Sequence, residues 1–406
     1  MQKIEEIERD LAPMFEKIDD IAFKNQKRIL KAFEENKVGL EHFNGSSGYG
    51  YSDLGKEKLA GVYSSALGAE DAIVSPYFTC GTHTLSTALF GILRTGDCVL
   101  SVTGGVYDSL QNAIDGDGIG SLREYGINFY CVDLQADGDF NYDKIKAEML
   151  AKKPKLIYLQ RSSGYANRDC LSNKDIEKIC KFVKSVDPKV KVFVDFCYGT
   201  FTEEKSPLEV GADIIVDSLN KNPGGGIVSN GGYVAGNKEL IEKIAHRLYG
   251  VGLGAEVGAY SAGYRELFQG FFMAPSVVAG ALKGQLLVGK VLEKMGIASY
   301  PTTDKLPLDL IRRIEFKDRK KMIKFIQCVQ KYSPVDAYAV PEPSDMPGYD
   351  DPVIMAAGCF VQGSSMEMSA DGPLRAPFTA YFQGGISYYQ VKAFAEAYSN
   401  TQSVLS

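Results

Sequence analysis

The segment DSLNKNPGGG, residues 217–226, places one lysine between an apolar run, ADIIVDS, and three consecutive glycines. Three glycines in a row are costly in chain entropy, so they indicate a backbone that must come close to another group. Lys221 is therefore either a surface lysine before a flexible turn or a reacting amine held in a fixed place. The sequence on either side of this segment decides between the two interpretations.

The chain before Lys221 alternates between short apolar runs and amphipathic stretches. Near-continuous apolar strands separated by helices predict a mostly parallel sheet that is buried on both faces. The seven predicted strands are AIVS, CVLSV, INFYCVDL, KLIYLQ, VKVFVD, ADIIVDS and GGYVAG. We therefore predict an α/β fold built on a large, mostly parallel, seven-stranded sheet.

The pattern changes after about residue 285, where strand-like runs such as DLIRRIEF and DPVIMAAGCFV flank the helical stretch KDRKKMIKFIQCVQKY. Proline and glycine punctuate VPEPSDMPGYDD in the same region. We predict three parts: an N-terminal helical segment over 1–44, a large domain over 45–285 and a smaller C-terminal α+β domain over 286–406.

Composition excludes several classes of protein. The formal net charge of −6 gives no basic footprint for nucleic acid. The N-terminus MQKIEEIERDLAPMFEKIDDI is charged throughout, unlike a signal peptide, and no apolar run reaches the roughly 18 residues of a membrane helix. Eight cysteines without C-x-x-C spacing indicate reduced thiols, and three histidines argue against a histidine-based zinc site. We expect a cytosolic protein with neither a nucleic-acid nor a membrane partner.

Polar residues follow the predicted strands, and ligands of open α/β sheets bind beyond the carboxyl ends of strands. These residues are Gly81, Thr82, His83, Thr103, Gly104, Tyr107, Gln160, Arg161, Ser162, Asp195, Ser218 and Lys221. Gly81 and Thr82 open the helix GTHTLSTALFGIL, where free N–H groups and the helix dipole suit a phosphate. A plain helix cap is the alternative there, and neither a P-loop nor a dinucleotide fingerprint opens this helix.

Asp195 ends the strand VKVFVD, where a carboxylate can bind a metal, act as a base, hold a cationic ring nitrogen or form a turn. A lysine amine is protonated near neutrality and reacts only when its surroundings change that. Together, Lys221, Asp195, a phosphate-type helix start and the aromatic Tyr107 match what pyridoxal phosphate needs. Ser218 could add a hydroxyl to the phosphate.

At this point the sequence resembles the pyridoxal-phosphate enzymes of fold type I. Within them it resembles the methionine gamma-lyase or aluminium-resistance family, which is related to cystathionine beta-lyases. The matching stretches cover nearly the whole chain, and the lysine motif and SADGP are the most specific. They are GYGYSDLG, CGTH, TGGVYDSL, QRSSGY, DFCYG, SLNKNPGGGI, GGYVAG, FQGFFMAPSVV, PEPSDMPGY and EMSADGPLRAPF.

The resemblance implies a role for each cofactor-site residue. Lys221 would hold the cofactor covalently as a Schiff base, Asp195 would bind the ring nitrogen, and Tyr107 would stack on the ring. Gly81, Thr82 and Ser218 would bind the phosphate. Tyr107 would also serve as the acid on the leaving group.

The resemblance also implies substrate and subunit contacts. Arg375 would bind the substrate carboxylate, with a surface ion pair as the alternative, and Arg161 and Ser162 would line the same pocket. Tyr49 and Tyr51 would reach the site of a neighbouring subunit, in a tetramer of two catalytic dimers. Related lyases carry an arginine in this tyrosine loop and this chain has none, which leaves Arg161 or hydroxyl groups to meet the phosphate charge.

The resulting hypothesis is a pyridoxal-phosphate-dependent carbon–sulfur lyase that eliminates a thiol, by β- or γ-elimination, from a cystathionine-like or methionine-like amino acid. A pyridoxal-phosphate-dependent aminotransferase is the alternative within the same cofactor class. An inert cofactor-binding protein is a third possibility. A serine acyl hydrolase is a poor fit, because S-x-x-K in SLNK lacks its partner motifs S-D-N and K-T-G.

Overall fold

A computed structural model describes residues 3–345, 351–364 and 366–401. Residues 346–350 lie outside the described part, and with them the end, MPGY, of the stretch PEPSDMPGY. The large sheet has seven strands: β1 Asp71–Ser75, β2 Cys98–Ser101, β3 Asn128–Cys131, β4 Leu156–Gln160, β5 Lys191–Asp195, β6 Ile214–Ser218 and β7 Gly232–Gly236. The first seven α-helices along the described chain are α1 Ile4–Glu35, α2 Leu54–Leu67, α3 Gly81–Ile92, α4 Asp108–Asp115, α5 Tyr142–Lys152, α6 Asn173–Val186 and α7 Lys238–Leu248.

The strand order is β1-β7-β6-β5-β4-β2-β3, and the five strands from β6 to β3 in this order run parallel. β7 runs antiparallel to both of its neighbours, so the predicted seven-stranded, mostly parallel sheet is confirmed. Strands β4 and β6 are buried along their whole length. Successive residues of β6 enter different cores: Ile214 and Val216 pack on one face, and Ile215 packs on the other. Helices on both faces explain the near-continuous apolar strands.

The smaller sheet has the order β10-β11-β12-β9-β8, and each of its strand pairs is antiparallel. Its strands are β8 Ala298–Tyr300, β9 Ile311–Glu315, β10 Val353–Ala356, β11 Ser369–Pro373 and β12 Thr379–Gln383. The remaining helices are α8 Arg265–Lys294, α9 Arg319–Lys331 and α10 Tyr388–Thr401. The N-terminal helix α1 joins this part, because Glu8 accepts hydrogen bonds from Tyr388 and Lys392 of α10.

Helix α8 connects the two sheets and continues through residue 285, where the sequence predicted a domain boundary. By length and composition α8 could cross a membrane, although the sequence predicted no such segment. However, 67% of its most apolar window is buried inside the protein. A core helix shared by both sheets explains this composition.

Candidate active site

The carboxyl end of β6 and the residues that follow β5 meet the first turn of α3. A β-carbon placed on Gly81 would lie 3.5 Å from the Ser218 Cβ atom, 3.7 Å from the Lys221 Nζ atom and 3.8 Å from the Cys197 Sγ atom. Residues that are far apart in the sequence therefore surround one small space. The first turn of α3 also leaves the N–H groups of Gly81 and Thr82 without an intrahelical partner.

Lys221 follows β6 and is half-buried, and its Nζ atom lies 4.1 Å from the centre of the Tyr198 ring. Burial lowers the pKa of this amine, but Cys197, Tyr198, Tyr107 and Asp195 raise it, and the net pKa lies well above the ordinary lysine value. The amine is accordingly a cation when nothing is bound to it. Of the two interpretations left open by the sequence, the structure supports a held amine rather than a surface lysine.

Asp195 ends β5 and is only 2% exposed. Its Oδ1 atom accepts a hydrogen bond of 3.0 Å from the backbone N–H of Cys197, and its Oδ2 atom accepts one of 3.2 Å from the Tyr158 hydroxyl. Tyr158 lies on the neighbouring strand β4 and is fully buried. Two donors therefore fix the position of the carboxylate.

Tyr107 precedes α4 and shares a 3.3 Å hydrogen bond between its hydroxyl and the Thr82 Oγ1 atom. Burial, and then the charge of Asp195, raise the pKa of the Tyr107 phenol far above its usual value. The hydroxyl therefore keeps its proton near neutral pH and can act as a donor. Thr82 is one of the residues predicted to bind the phosphate, so the Tyr107 hydroxyl and the first turn of α3 line the same side of the site.

The three glycines after Lys221 were expected where the backbone comes close to another group, and the structure shows that this group is other backbone. A β-carbon on Gly224 would overlap the Leu219 carbonyl oxygen at 1.7 Å, and one on Gly225 would lie 2.3 Å from the Gly270 carbonyl oxygen of α8. Gly225 also has a left-handed φ of +58°. The glycines therefore let the lysine loop pack tightly against α8.

Sequence reasoning missed Asp217, which directly precedes Ser218. Its side chain is fully buried and accepts hydrogen bonds of 2.7 Å from the Thr200 hydroxyl and from the Ser218 N–H. Burial raises the pKa of Asp217 to about 7, although the nearby Lys221 lowers it. An acidic residue within an otherwise apolar strand was the signal that could have identified it.

The structure commits Arg161 and Ser162 to other partners. The side chain of Arg161 is 1% exposed, and its guanidinium forms a 2.6 Å ion pair with Glu203. A second donor of Arg161 reaches the Leu308 carbonyl at 2.6 Å, and Ser162 donates to Asp309 at 2.8 Å. These contacts join the loop after β4 to the segment before β9. They engage the Arg161 guanidinium and the Ser162 hydroxyl, which were predicted to bind the substrate or the phosphate.

Three further predicted residues lie at the surface. The side chain of Arg375 is 65% exposed and forms a 3.5 Å ion pair with Asp351, which is the alternative weighed for it. Tyr49 and Tyr51 are 66% and 58% exposed and stack on each other with 5.5 Å between ring centres. Within the single chain, the structure therefore does not bring these side chains to Lys221.

The residues that do converge fit pyridoxal phosphate. The Lys221 amine can form a Schiff base with the aldehyde of the cofactor. The buried Asp195 carboxylate can bind the cationic ring nitrogen, and the unpaired N–H groups at the start of α3 can bind the phosphate. The absence of a side chain at Gly81 leaves room beside the amine. Lys221, Asp195, Tyr107 and the first turn of α3 would hold the cofactor.

A lysine and a buried aspartate placed this way on this sheet define a pyridoxal-phosphate-dependent enzyme of fold type I. A pyridoxal-phosphate-dependent protein from Escherichia coli, YhfS, shares the fold with a TM-score of 0.62 at 15% identity, covering 95% of this chain and 97% of that one. Residues 1–402 match the methionine gamma-lyase family. The chain therefore belongs to the methionine gamma-lyase family, and it is a pyridoxal-phosphate-dependent lyase that acts on carbon–sulfur bonds.

Two close relatives extend along nearly the whole chain. The Bacillus subtilis protein YnbB is 45% identical over 390 residues, which are 95% of this chain and 92% of that protein. A carbon-sulfur lyase involved in aluminium resistance from Clostridium novyi is 41% identical with a TM-score of 0.93, and the match covers 98% of this chain and 94% of that one. The predicted family and fold are confirmed.

Proposed function

We propose that this lyase eliminates a thiol from a sulfur-containing amino acid, by β- or γ-elimination, and leaves a 2-oxo acid and ammonia. The observation that carries the proposal is the convergence of three groups: the Lys221 amine lies beside Gly81, Asp195 and Tyr107 raise the pKa of that amine, and the Tyr107 hydroxyl contacts Thr82. When bound, pyridoxal phosphate supplies an electron-withdrawing ring that stabilises negative charge at the substrate α-carbon.

The chain's own residues perform the proton transfers. The Nζ atom of Lys221 removes the proton from the substrate α-carbon. The Asp195 carboxylate, held by two donors, would face the ring nitrogen and balance its positive charge. The hydroxyl of Tyr107 keeps its proton because burial and Asp195 raise its pKa, so it can protonate the departing sulfur. Gly81, Thr82 and Ser218 hold the phosphate.

Product analysis tests this function against the aminotransferase alternative. We expect incubation with pyridoxal phosphate and either cystathionine or methionine to release a thiol, a 2-oxo acid and ammonia in equal amounts. An aminotransferase would release neither thiol nor ammonia and would require a 2-oxo acid acceptor. The products also separate β- from γ-elimination. Cystathionine gives homocysteine and pyruvate by β-elimination but cysteine and 2-oxobutanoate by γ-elimination, and methionine carries its sulfur on the γ-carbon alone.

We further propose that the chain works as a tetramer of two catalytic dimers, in which Tyr49 and Tyr51 serve the neighbouring subunit. The exposed, stacked pair lies close to Ala259, because a β-carbon on Gly50 would contact that residue at 2.5 Å. Mixing inactive Lys221→Ala chains with inactive Tyr51→Ala chains should restore part of the activity, since a hybrid dimer has one intact site. Inactive hybrids that nevertheless form would contradict the shared site.

We also propose that the protein is located in the cytosol. All eight cysteines lie among the described residues and are free thiols. Free thiols suit a reducing compartment. Recovery of the protein from an extracellular fraction with these cysteines oxidised would contradict this location.

A further inference from the structure

Tyr198 has a backbone conformation that a tyrosine rarely adopts. Its φ of +68° lies in the left-handed region, which costs energy for residues with a side chain. Its ring faces the Nζ atom of Lys221 with 4.1 Å between that atom and the ring centre. The protein therefore keeps Tyr198 in an unfavourable conformation while its ring lies against the reacting amine.

Asn222, the residue after Lys221, fixes this arrangement. Its amide nitrogen donates to the Tyr198 carbonyl at 3.0 Å and to the Thr200 carbonyl at 2.9 Å. Asn222 is fully buried. The loop that carries the lysine and the loop that carries Tyr198 are thus joined by two hydrogen bonds, so the amine and the ring keep a fixed relation.

An aromatic face attracts an ammonium group through its quadrupole and gives no comparable attraction to a neutral amine. The contact depends on the ring and not on the phenol hydroxyl. Contact with the Tyr198 ring is therefore expected to favour the protonated form of the lysine over the neutral form. The stacking partner predicted for the cofactor, Tyr107, is a different residue on a different wall of the site.

We propose that Tyr198 is a positioning residue whose ring binds the Lys221 side chain as an ammonium and so holds the proton taken from the substrate. The inference rests on the proposed role of Lys221 as the base. When the Nζ atom takes up the proton, an N–H bond forms, the C–H bond of the substrate breaks, and the electron pair of that bond stays with the substrate. The resulting cation lies over the Tyr198 ring until the proton is passed on.

Other ionisable groups also face the amine. Asp195 and Cys197 approach from the end of β5, Asp217 from β6 and Tyr107 from the start of α4. The two carboxylates favour the ammonium form as well. A substitution at position 198 leaves all four groups in place, so a test at this position separates the ring from the neighbouring charges.

The test is the pH dependence of covalent attachment of pyridoxal phosphate to the cofactor-depleted enzyme, followed by absorbance. Only the neutral amine attacks, so the midpoint of the profile reports the proton affinity of Lys221. Removing the ring destabilises the ammonium, and we expect Tyr198→Leu to lower the midpoint by about one pH unit. Attachment below the midpoint then becomes about tenfold faster. Tyr198→Phe keeps the ring and should retain the wild-type profile.

A Tyr198→Leu profile that superimposes on the wild type would overturn the inference, and so would a Tyr198→Phe profile displaced as far as that of Tyr198→Leu. If circular dichroism shows that the leucine variant is unfolded, pentafluorophenylalanine at position 198 replaces it, because fluorination weakens the ring face and keeps its shape. The same shift is then expected. Lys221→Ala serves as the blank: attachment in that variant would refute the role of Lys221 itself.

Discussion

Lys221→Ala is expected to lose the visible absorbance of bound cofactor and nearly all elimination activity. The substitution removes the amine that lies 3.7 Å from the place a β-carbon on Gly81 would take and 4.1 Å from the Tyr198 ring centre. A general base contributes about 10²–10⁴-fold to a rate, and losing the covalent attachment point adds to that deficit. The measurements are an absorbance spectrum and a thiol-release assay at saturating cofactor.

The matched control for this variant is Lys181→Ala. Lys181 lies on α6, its side chain is 74% exposed, and among the described residues its ion pair is with Glu177 on the same helix. Surface pairs of this kind contribute little to stability, so this variant should keep its absorbance and its rate. Wild-type thiol release by Lys221→Ala would refute the site. Mass spectrometry of borohydride-reduced enzyme should find the added mass on the peptide that contains Lys221.

Much of this arrangement could be predicted from the sequence, because it follows from regular structure. The run ADIIVDS becomes β6, and VKVFVD becomes β5, since buried parallel strands need apolar residues on both faces. The carboxyl ends of parallel strands meet at one edge of the sheet, which is why Asp195 and Lys221 were expected to be neighbours. The start of α3 at Gly81 followed from the helical spacing of Leu85, Ala88, Leu89 and Ile92.

The partners of individual side chains could not be predicted, because they depend on contacts between distant segments. Arg161 follows a strand, as a ligand-binding residue would, yet Glu203 and the Leu308 carbonyl take its donors. The backbone at Gly225 lies against the Gly270 carbonyl of α8, and nothing local in the sequence predicts that contact. The position of the Tyr198 ring beside Lys221 likewise depends on how the loop between β5 and β6 folds, which the local sequence does not predict.

Asp195→Asn is the second substitution for which we expect a large effect, of about 10²–10⁴-fold in the elimination rate. Removing one partner of a buried charge pair costs about 3–5 kcal/mol, and each 1.36 kcal/mol corresponds to a factor of about ten. Asparagine retains the shape, and its one amide oxygen can still accept the hydrogen bond from the Cys197 N–H, while its amide nitrogen can only donate to the Tyr158 hydroxyl. The variant therefore removes the negative charge and reverses one hydrogen bond. Steady-state rates and cofactor affinity measure the loss.

Tyr158→Phe is the control for Asp195→Asn, because it removes one hydrogen bond to the same carboxylate and leaves the charge. A hydrogen bond to a charged group contributes about 1.5–3 kcal/mol, so this variant should lose roughly 10- to 100-fold, less than the asparagine variant. If Asp195→Asn keeps the wild-type rate while Tyr158→Phe does not, the charge on Asp195 has no part in the reaction. The phenol of Tyr158 would then act on the substrate through another route, and the assignment of Asp195 to the ring nitrogen would be wrong.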